Sequence, residues 1–189
     1  MNIKLIIIFS FTLLYGFFEI FLNQTKNKKS HIEKKDDRGS LIGLYLSISI
    51  GYFLAFTFAS LKPGRIYHWD LMFITGFTLI AIGLVIRISA LRALKQYFTY
   101  SVAKIEEHKL VTSGLYKRIR HPGYLGQLII FLGISVSLSN WITIILMMLP
   151  VLIGYNYRIM IEEKFMSEQM GEKYNEYKMC TKKLIPWIF

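Results

Sequence analysis

Long runs of residues without charge limit what this chain can fold into. Leu41–Leu61 is 21 residues with no charge, Leu71–Ile86 is a second uncharged run, and Met1–Leu22 carries only Lys4 and Glu19. A helix needs about 20 apolar residues to cross the roughly 30 Å hydrocarbon core of a bilayer, so these read as spans and not as core helices. The overall hydrophobic share, 53%, says less than this ordering into blocks with the charges between them. With 189 residues and about half of them in lipid, too little chain remains for a separate dinucleotide-binding α/β domain. The expected fold is all-α: a polytopic membrane protein, with residues 1–189 as one integral membrane domain.

Five spans are expected, over 3–22, 41–61, 71–91, 124–138 and 141–160. Only Ser139-Asn140 separates the last two, which predicts a tight helical hairpin. The fourth is short, about 15 residues, and is expected to tilt little or to sit in protein more than in lipid. Pro122 suits the first turn of a helix, and Pro150, inside the fifth span, is expected to kink it. Nineteen of the 23 Lys and Arg residues fall in 23–40, in 92–123 and in the tail from 156, which are alternate connections. The positive-inside rule then places the N-terminus outside and the C-terminus in the cytoplasm. The net charge of +11 is accordingly an orientation and headgroup signal, and nucleic acid is excluded as a partner. Glu19 and Arg87 lie near the cytoplasmic ends of their helices, where snorkelling is the cheaper explanation. The first block lacks the small-residue cleavage site of a signal peptide and is kept as a helix. Cys180 stands alone, and His31, His68, His108 and His121 show no ligand spacing, so no metal is expected.

Two cytoplasmic segments, 101–123 and 158–189, are left to carry chemistry. His108–Tyr124 reads HKLVTSGLYKRIRHPGY and leads into a helix N-terminus, where free N–H groups and a partial positive charge suit an anionic group. The plainer reading is a basic juxtamembrane loop on lipid phosphates with Tyr116 and Tyr124 as interfacial anchors. Tyr155–Tyr177 continues the fifth helix past the membrane surface. Arg158 and Glu162, four apart, share a face: either an exposed ion pair, or an arginine fork for a carboxylate beside an acid for a cation. Gly171 reads as a helix stop, with Tyr174 and Tyr177 on one face of a short amphipathic helix. The tail Leu184–Phe189 is expected to tuck into the interface.

These residues also carry a resemblance. His108-x-Leu110-Val111-x-x-Gly114-x-Tyr116-x-x-x-Arg120-His121-Pro122-x-Tyr124 is similar to the cofactor-binding stretch of isoprenylcysteine carboxyl methyltransferases. Arg158-x-x-x-Glu162-Glu163, followed by Met170-Gly171-x-x-Tyr174-x-x-Tyr177, resembles the second block of that family. The resemblance covers 108–189, and the first three spans only in pattern; RHPxY alone also ends membrane sterol reductases and phospholipid methyltransferases. It implies a membrane methyltransferase using S-adenosyl-L-methionine. By position, it assigns His108, Lys109, Leu110, Val111, Tyr116, His121, Pro122, Gly123, Tyr124 and Glu162 to the cofactor. Arg158 is assigned to the acceptor carboxylate. No further cofactor contact is assigned around Gln96–Val102.

The implied chemistry suits the residues. A carboxylate acceptor is nucleophilic without a general base, so the protein must align two reactants, exclude water and hold the anion, a task for an arginine fork. The expected partners are a lipidic or lipidated acceptor and membrane lipids, in a protein of prokaryotic type. Three alternatives stay open. A phospholipid amine N-methyltransferase would need a base such as Glu163 or His121. An NADPH-dependent reductase would need cations for the 2′-phosphate. A non-enzymatic lipid-binding protein is the fourth reading.

Overall fold

The computed structural model describes residues 3–29, 32–35, 39–95, 103–105 and 110–185. Among the described residues six α-helices form: α1 Ile3–Lys29, α2 Ser40–Phe58, α3 Trp69–Leu94, α4 Pro122–Ser137, α5 Trp141–Met170 and α6 Glu172–Cys180. Four of them, α1, α2, α3 and α5, are long and apolar enough to cross a bilayer. The 16 residues of α4 would reach only about 24 Å at 1.5 Å per residue, short of the hydrocarbon thickness. It is, however, deeply buried, with Gly126, Gln127, Ile130, Phe131 and Ile134 among its enclosed residues. Its apolar sequence serves protein contact, the second of the two alternatives expected for the short fourth block. Conversely, α1, α2 and α3 turn large side chains such as Phe17, Phe53 and Val85 outward, the distribution expected where lipid is the solvent. The helix of α5 runs unbroken through Pro150 and continues well past residue 160. Its first 20 residues reach about 30 Å, which leaves ten beyond the length that a bilayer needs.

Glycine lets the central pair, α3 and α4, touch backbone to backbone. A Cβ added to Gly83 would lie 2.6 Å from the Gly126 carbonyl, and one added to Gly126 would lie 2.8 Å from the Gly83 carbonyl. Gly76 and Gly133, one heptad away on each helix, make the same approach, so the seam runs along both helices.

The connections sort onto two faces. On one face, Ser139-Asn140 closes the α4–α5 hairpin, with Ser139 at φ 56° and the Asn140 side chain accepting from Ile142 N–H at 2.9 Å. The Asn140 amide also donates to the carbonyls of Leu61 and Pro63, both at 3.2 Å, which ties the α2–α3 loop to the hairpin. Lys4 pairs with Asp70 on α3 and lies over the Trp69 ring. On the opposite face, a two-stranded antiparallel ribbon joins Ile32–Lys35 to Ala103–Ile105, linking two of the cation-rich connections. The third, the tail, pairs with the loop before α4: Arg120 N–H donates to Lys182 O at 2.8 Å and His121 N–H to Lys183 O at 3.0 Å. The alternation expected from the basic residues is thus the alternation of the fold. The ribbon is an addition to the all-helical expectation, small enough to leave the class unchanged.

Candidate active site

The turn before α4 is held from below by α6. Gly114 takes φ +61°, the left-handed region that favours glycine, and starts a 3-10 turn over Gly114–Lys117. Tyr116 is buried there, and its carbonyl accepts from the Tyr177 hydroxyl at 2.7 Å. Burial, then the Glu162 charge, pushes the Tyr116 phenol well up, and burial raises Tyr177 to about 12 despite the Arg120 charge. Gly171, at φ +56°, ends α5 and caps α6, as expected, and both Tyr174 and Tyr177 face inward. Leu110 and Val111, just before this turn in the chain, are half-buried.

The helix N-terminus provides fewer free donors than the sequence suggests. Pro122 has no N–H, and those of Tyr124 and Leu125 both return to the His121 carbonyl, at 3.1 and 3.0 Å. Side chains therefore dominate the chemistry. The His121 and Tyr124 rings stack, 5.5 Å apart and 8° from parallel. The Tyr124 hydroxyl donates to Glu162 Oε2 at 2.7 Å, and His121 Nδ1 lies 3.9 Å from the same oxygen. The Glu162 side chain keeps 33% of its surface exposed.

The neighbouring acid does different work. Glu163 Oε1 accepts from Arg120 Nε at 2.7 Å and lies 3.3 Å from His121 Nε2. Burial alone would raise its pKa, but hydrogen bonds from His121 and Arg120 outweigh burial and hold the carboxyl at about 2. Arg120 Nη1 donates to the carbonyls of Lys178, at 3.2 Å, and of Thr181. Arg120 and Glu163 are thus a strut that clamps the tail, α5 and the pre-α4 turn together.

Arg158, one turn before Glu162, is 2% exposed. This overturns the exposed ion pair as a reading of Arg158. Its Nη1 donates to the Ser40 hydroxyl, at the start of α2. The guanidinium lines a cavity of about 230 Å³ between α1, α2, α3, α4 and α5. Tyr15, Tyr45, Tyr52, Tyr124 and Tyr155 make up much of its wall, and Glu19 and Arg87 line it with Arg158. Glu19 and Arg87 do not snorkel, because they satisfy each other: Arg87 Nε and Nη2 donate to the two Glu19 oxygens at 3.2 and 2.9 Å. Neither reaches solvent, at 7% and 2% exposed.

Of the expected cofactor residues, the fold brings Tyr116, His121, Pro122, Gly123, Tyr124 and Glu162 to one place, and Leu110 and Val111 are half-buried. His108, Lys109, the stretch 96–102 and the tail 186–189 lie outside the described residues. Sequence reasoning missed the Arg120–Glu163 strut, the Glu19–Arg87 pair and Ser40. Only the first left a signal: Arg120 and Glu163 both flank residues already singled out.

Known proteins similar to this chain in sequence and structure are methyltransferases. The family model for phospholipid methyltransferase matches residues 71–173. A probable protein-S-isoprenylcysteine O-methyltransferase of Oryza sativa subsp. indica is 33% identical over 162 residues, covering 80% of this chain and 84% of the relative. The human protein-S-isoprenylcysteine O-methyltransferase is 29% identical over 146 residues, covering 76% of this chain and 51% of its own length. The solved structure of the eukaryotic intramembrane Ras methyltransferase, an isoprenylcysteine carboxyl methyltransferase, aligns with a TM-score of 0.60 at 26% identity. That alignment covers 82% of this chain and 55% of the other.

Proposed function

The chain belongs to the isoprenylcysteine carboxyl methyltransferase family of membrane enzymes, and from that premise we propose that it uses S-adenosyl-L-methionine to methylate the carboxylate of a prenylcysteine-like lipidic acceptor. One observation carries the reading. Tyr124 belongs to both halves of the site, its hydroxyl on Glu162 and its ring in the cavity wall beside Arg158.

The donor set fits the cofactor. A part-exposed carboxylate suits a ligand with cationic groups, and stacked His121 and Tyr124, with buried Tyr116 and half-buried Leu110 and Val111, suit an adenine and an aliphatic chain. His108 and Lys109 are assigned to the cofactor by the family resemblance, with Pro122 and Gly123. When bound, the cofactor supplies a methyl group on a sulfonium, ready for displacement. Glu162 binds positive charge, and Tyr124 fixes the direction of its carboxylate. Arg158, shielded from water, holds the acceptor carboxylate by its fork without taking a proton from anything. The cavity's tyrosines exclude water from that anion, which raises its reactivity. The lipid part of the acceptor reaches the cavity between helices, and the cofactor arrives from the face carrying most of the cations, the cytoplasmic one.

The family description makes N-methylation of a phospholipid amine the second reading. That reaction needs a base, and Glu163 is a poor one, held ionised by Arg120 and His121. The test is calorimetric titration of the detergent-purified protein with S-adenosyl-L-methionine, its demethylated product and NADPH, followed by transfer of labelled methyl to a prenylcysteine mimic. Binding of both sulfur nucleosides and a base-labile ester label are expected. A label stable to base, or binding of NADPH alone, refutes the proposal.

A further inference from the structure

Gln127, on α4, lines the acceptor cavity and is 7% exposed. Among the described residues, none donates a hydrogen bond to its side-chain amide or accepts one from it. A side-chain amide carries two donors and an oxygen with two lone pairs, and burying it without a partner costs stability. For the fold alone, an apolar residue would serve better at this position. Its neighbours in the chain are accounted for by packing: Gly126 belongs to the seam with α3, and Leu128 to the core.

The place of Gln127 in the cavity suggests its use. Tyr124, Gln127 and Phe131 follow at spacings of three and four, so they share one face of α4, and all three line the cavity. At one end of this row the Tyr124 hydroxyl reaches Glu162. At the other, the Phe131 ring meets those of Tyr52 and Tyr155, at 5.8 and 6.3 Å. The wall therefore passes from a polar end, through one neutral amide, to an aromatic end. A cavity of about 150 Å³ takes one benzene ring, so about 230 Å³ holds a headgroup and the start of a chain. Gln127 stands about 4.5 Å along the helix from Tyr124, a step comparable to that between a carboxylate and an amide on the same α-carbon.

We infer that Gln127 is a specificity-determining residue: it hydrogen-bonds an amide of the acceptor beside the carboxylate held by Arg158, and so selects N-acylated amino acids bearing a lipid thioether over plain lipid acids. This rests on the proposed transfer to a carboxylate. An amide offers a donor and an acceptor without charge, and a second amide answers both. An acid lacking that group would leave Gln127 unpaired in the complex, and a site built to hydrogen-bond a group discriminates against the analogue without it.

The test uses the full chain in detergent and two acids with the same prenyl thioether. One is an N-acetylated prenylcysteine, and the other has hydrogen in place of the acetamide. The parent protein should bind the acetylated acid about tenfold more tightly by calorimetry, the worth of about one hydrogen bond. Gln127→Met should bring the two affinities to within about twofold, with cofactor affinity unchanged and the thermal midpoint level or raised. A parent that binds both acids alike overturns the inference, as does a variant that keeps the preference. A lowered midpoint with affinity lost equally for both acids would make Gln127 a structural residue and also overturns it. If Gln127→Met does not fold, Gln127→Leu and the parent's own preference decide. Failure of the underlying reading looks different: the parent would show the preference in binding yet place no ester on either acid, and the assignment of Gln127 to an amide would stand.

Discussion

Replacing Gly83 with alanine should separate the two halves of the site without substituting any proposed site residue. The new Cβ would lie 2.6 Å from Gly126 O, 2.7 Å from Ile130 Cγ1 and 2.9 Å from Ile130 N. Two of those three atoms are α4 backbone and cannot rotate aside. Ordinary contact begins at 3.4 Å, so α4 must retreat from α3 by about 0.8 Å. Overpacking of this kind costs about 1–3 kcal/mol, which lowers the thermal midpoint by roughly 2–12 °C for a chain of this size. The functional effect should be larger than the stability effect. Tyr124 lies two residues from Gly126, and its hydroxyl is 2.7 Å from Glu162. The same retreat would stretch that contact to about 3.5 Å, too long for an O–H···O bond, and misplacement by about 1 Å can cost 100-fold in rate. Gly43→Ala is the control, since nothing lies within 4 Å of its added Cβ and alanine favours the helix. Thermal unfolding in detergent and methyl transfer at saturating cofactor are the assays. A Gly83→Ala protein with the parental midpoint and the parental rate would refute the claim that this seam sets the site.

Glu162→Ala should weaken S-adenosyl-L-methionine binding at least about 100-fold, whereas Arg158→Ala should bind it normally and lose transfer by a similar factor, both read by calorimetry and methyl labelling. Asn140→Ala removes a helix cap and the donors to Leu61 and Pro63, so it should destabilise the protein by about 2–4 kcal/mol with KM for cofactor unchanged. Glu163 has a depressed pKa, so its contribution to stability is complete above its ordinary value near 4.5 and is lost as pH falls towards about 2. Limited proteolysis after residue 180 should therefore appear only in acid, and Glu163→Gln should bring it to neutral pH.

The membrane architecture was legible because it depends on local properties. An uncharged stretch such as Leu41–Leu61 must find a bilayer whatever its neighbours are, and cations on alternate connections sort the helix ends without reference to packing. The short fourth block was legible for the same reason, since a helix too short for lipid has to be covered by protein. The site was legible only as two motifs, because 108–124 and 158–177 each have characteristic local chemistry.

Pairing was decided elsewhere. Glu162 and Glu163 are adjacent in the chain, but about 100° of helix rotation sends one to Tyr124 and a part-exposed face and the other to Arg120. Nothing in the order of residues says which goes where until α5 is set against α4. Glu19 and Arg87, 68 residues apart, each looked like a snorkelling end, because a sequence shows a charge near the interface and not the charge across from it. The sequence alone determined the class of the fold and the two segments proposed to hold the chemistry. The tertiary structure decided which acid meets Tyr124 and which arginine enters the cavity. Burial and partner choice depend on distances between helices, and here glycine contacts along α3 and α4 set those distances.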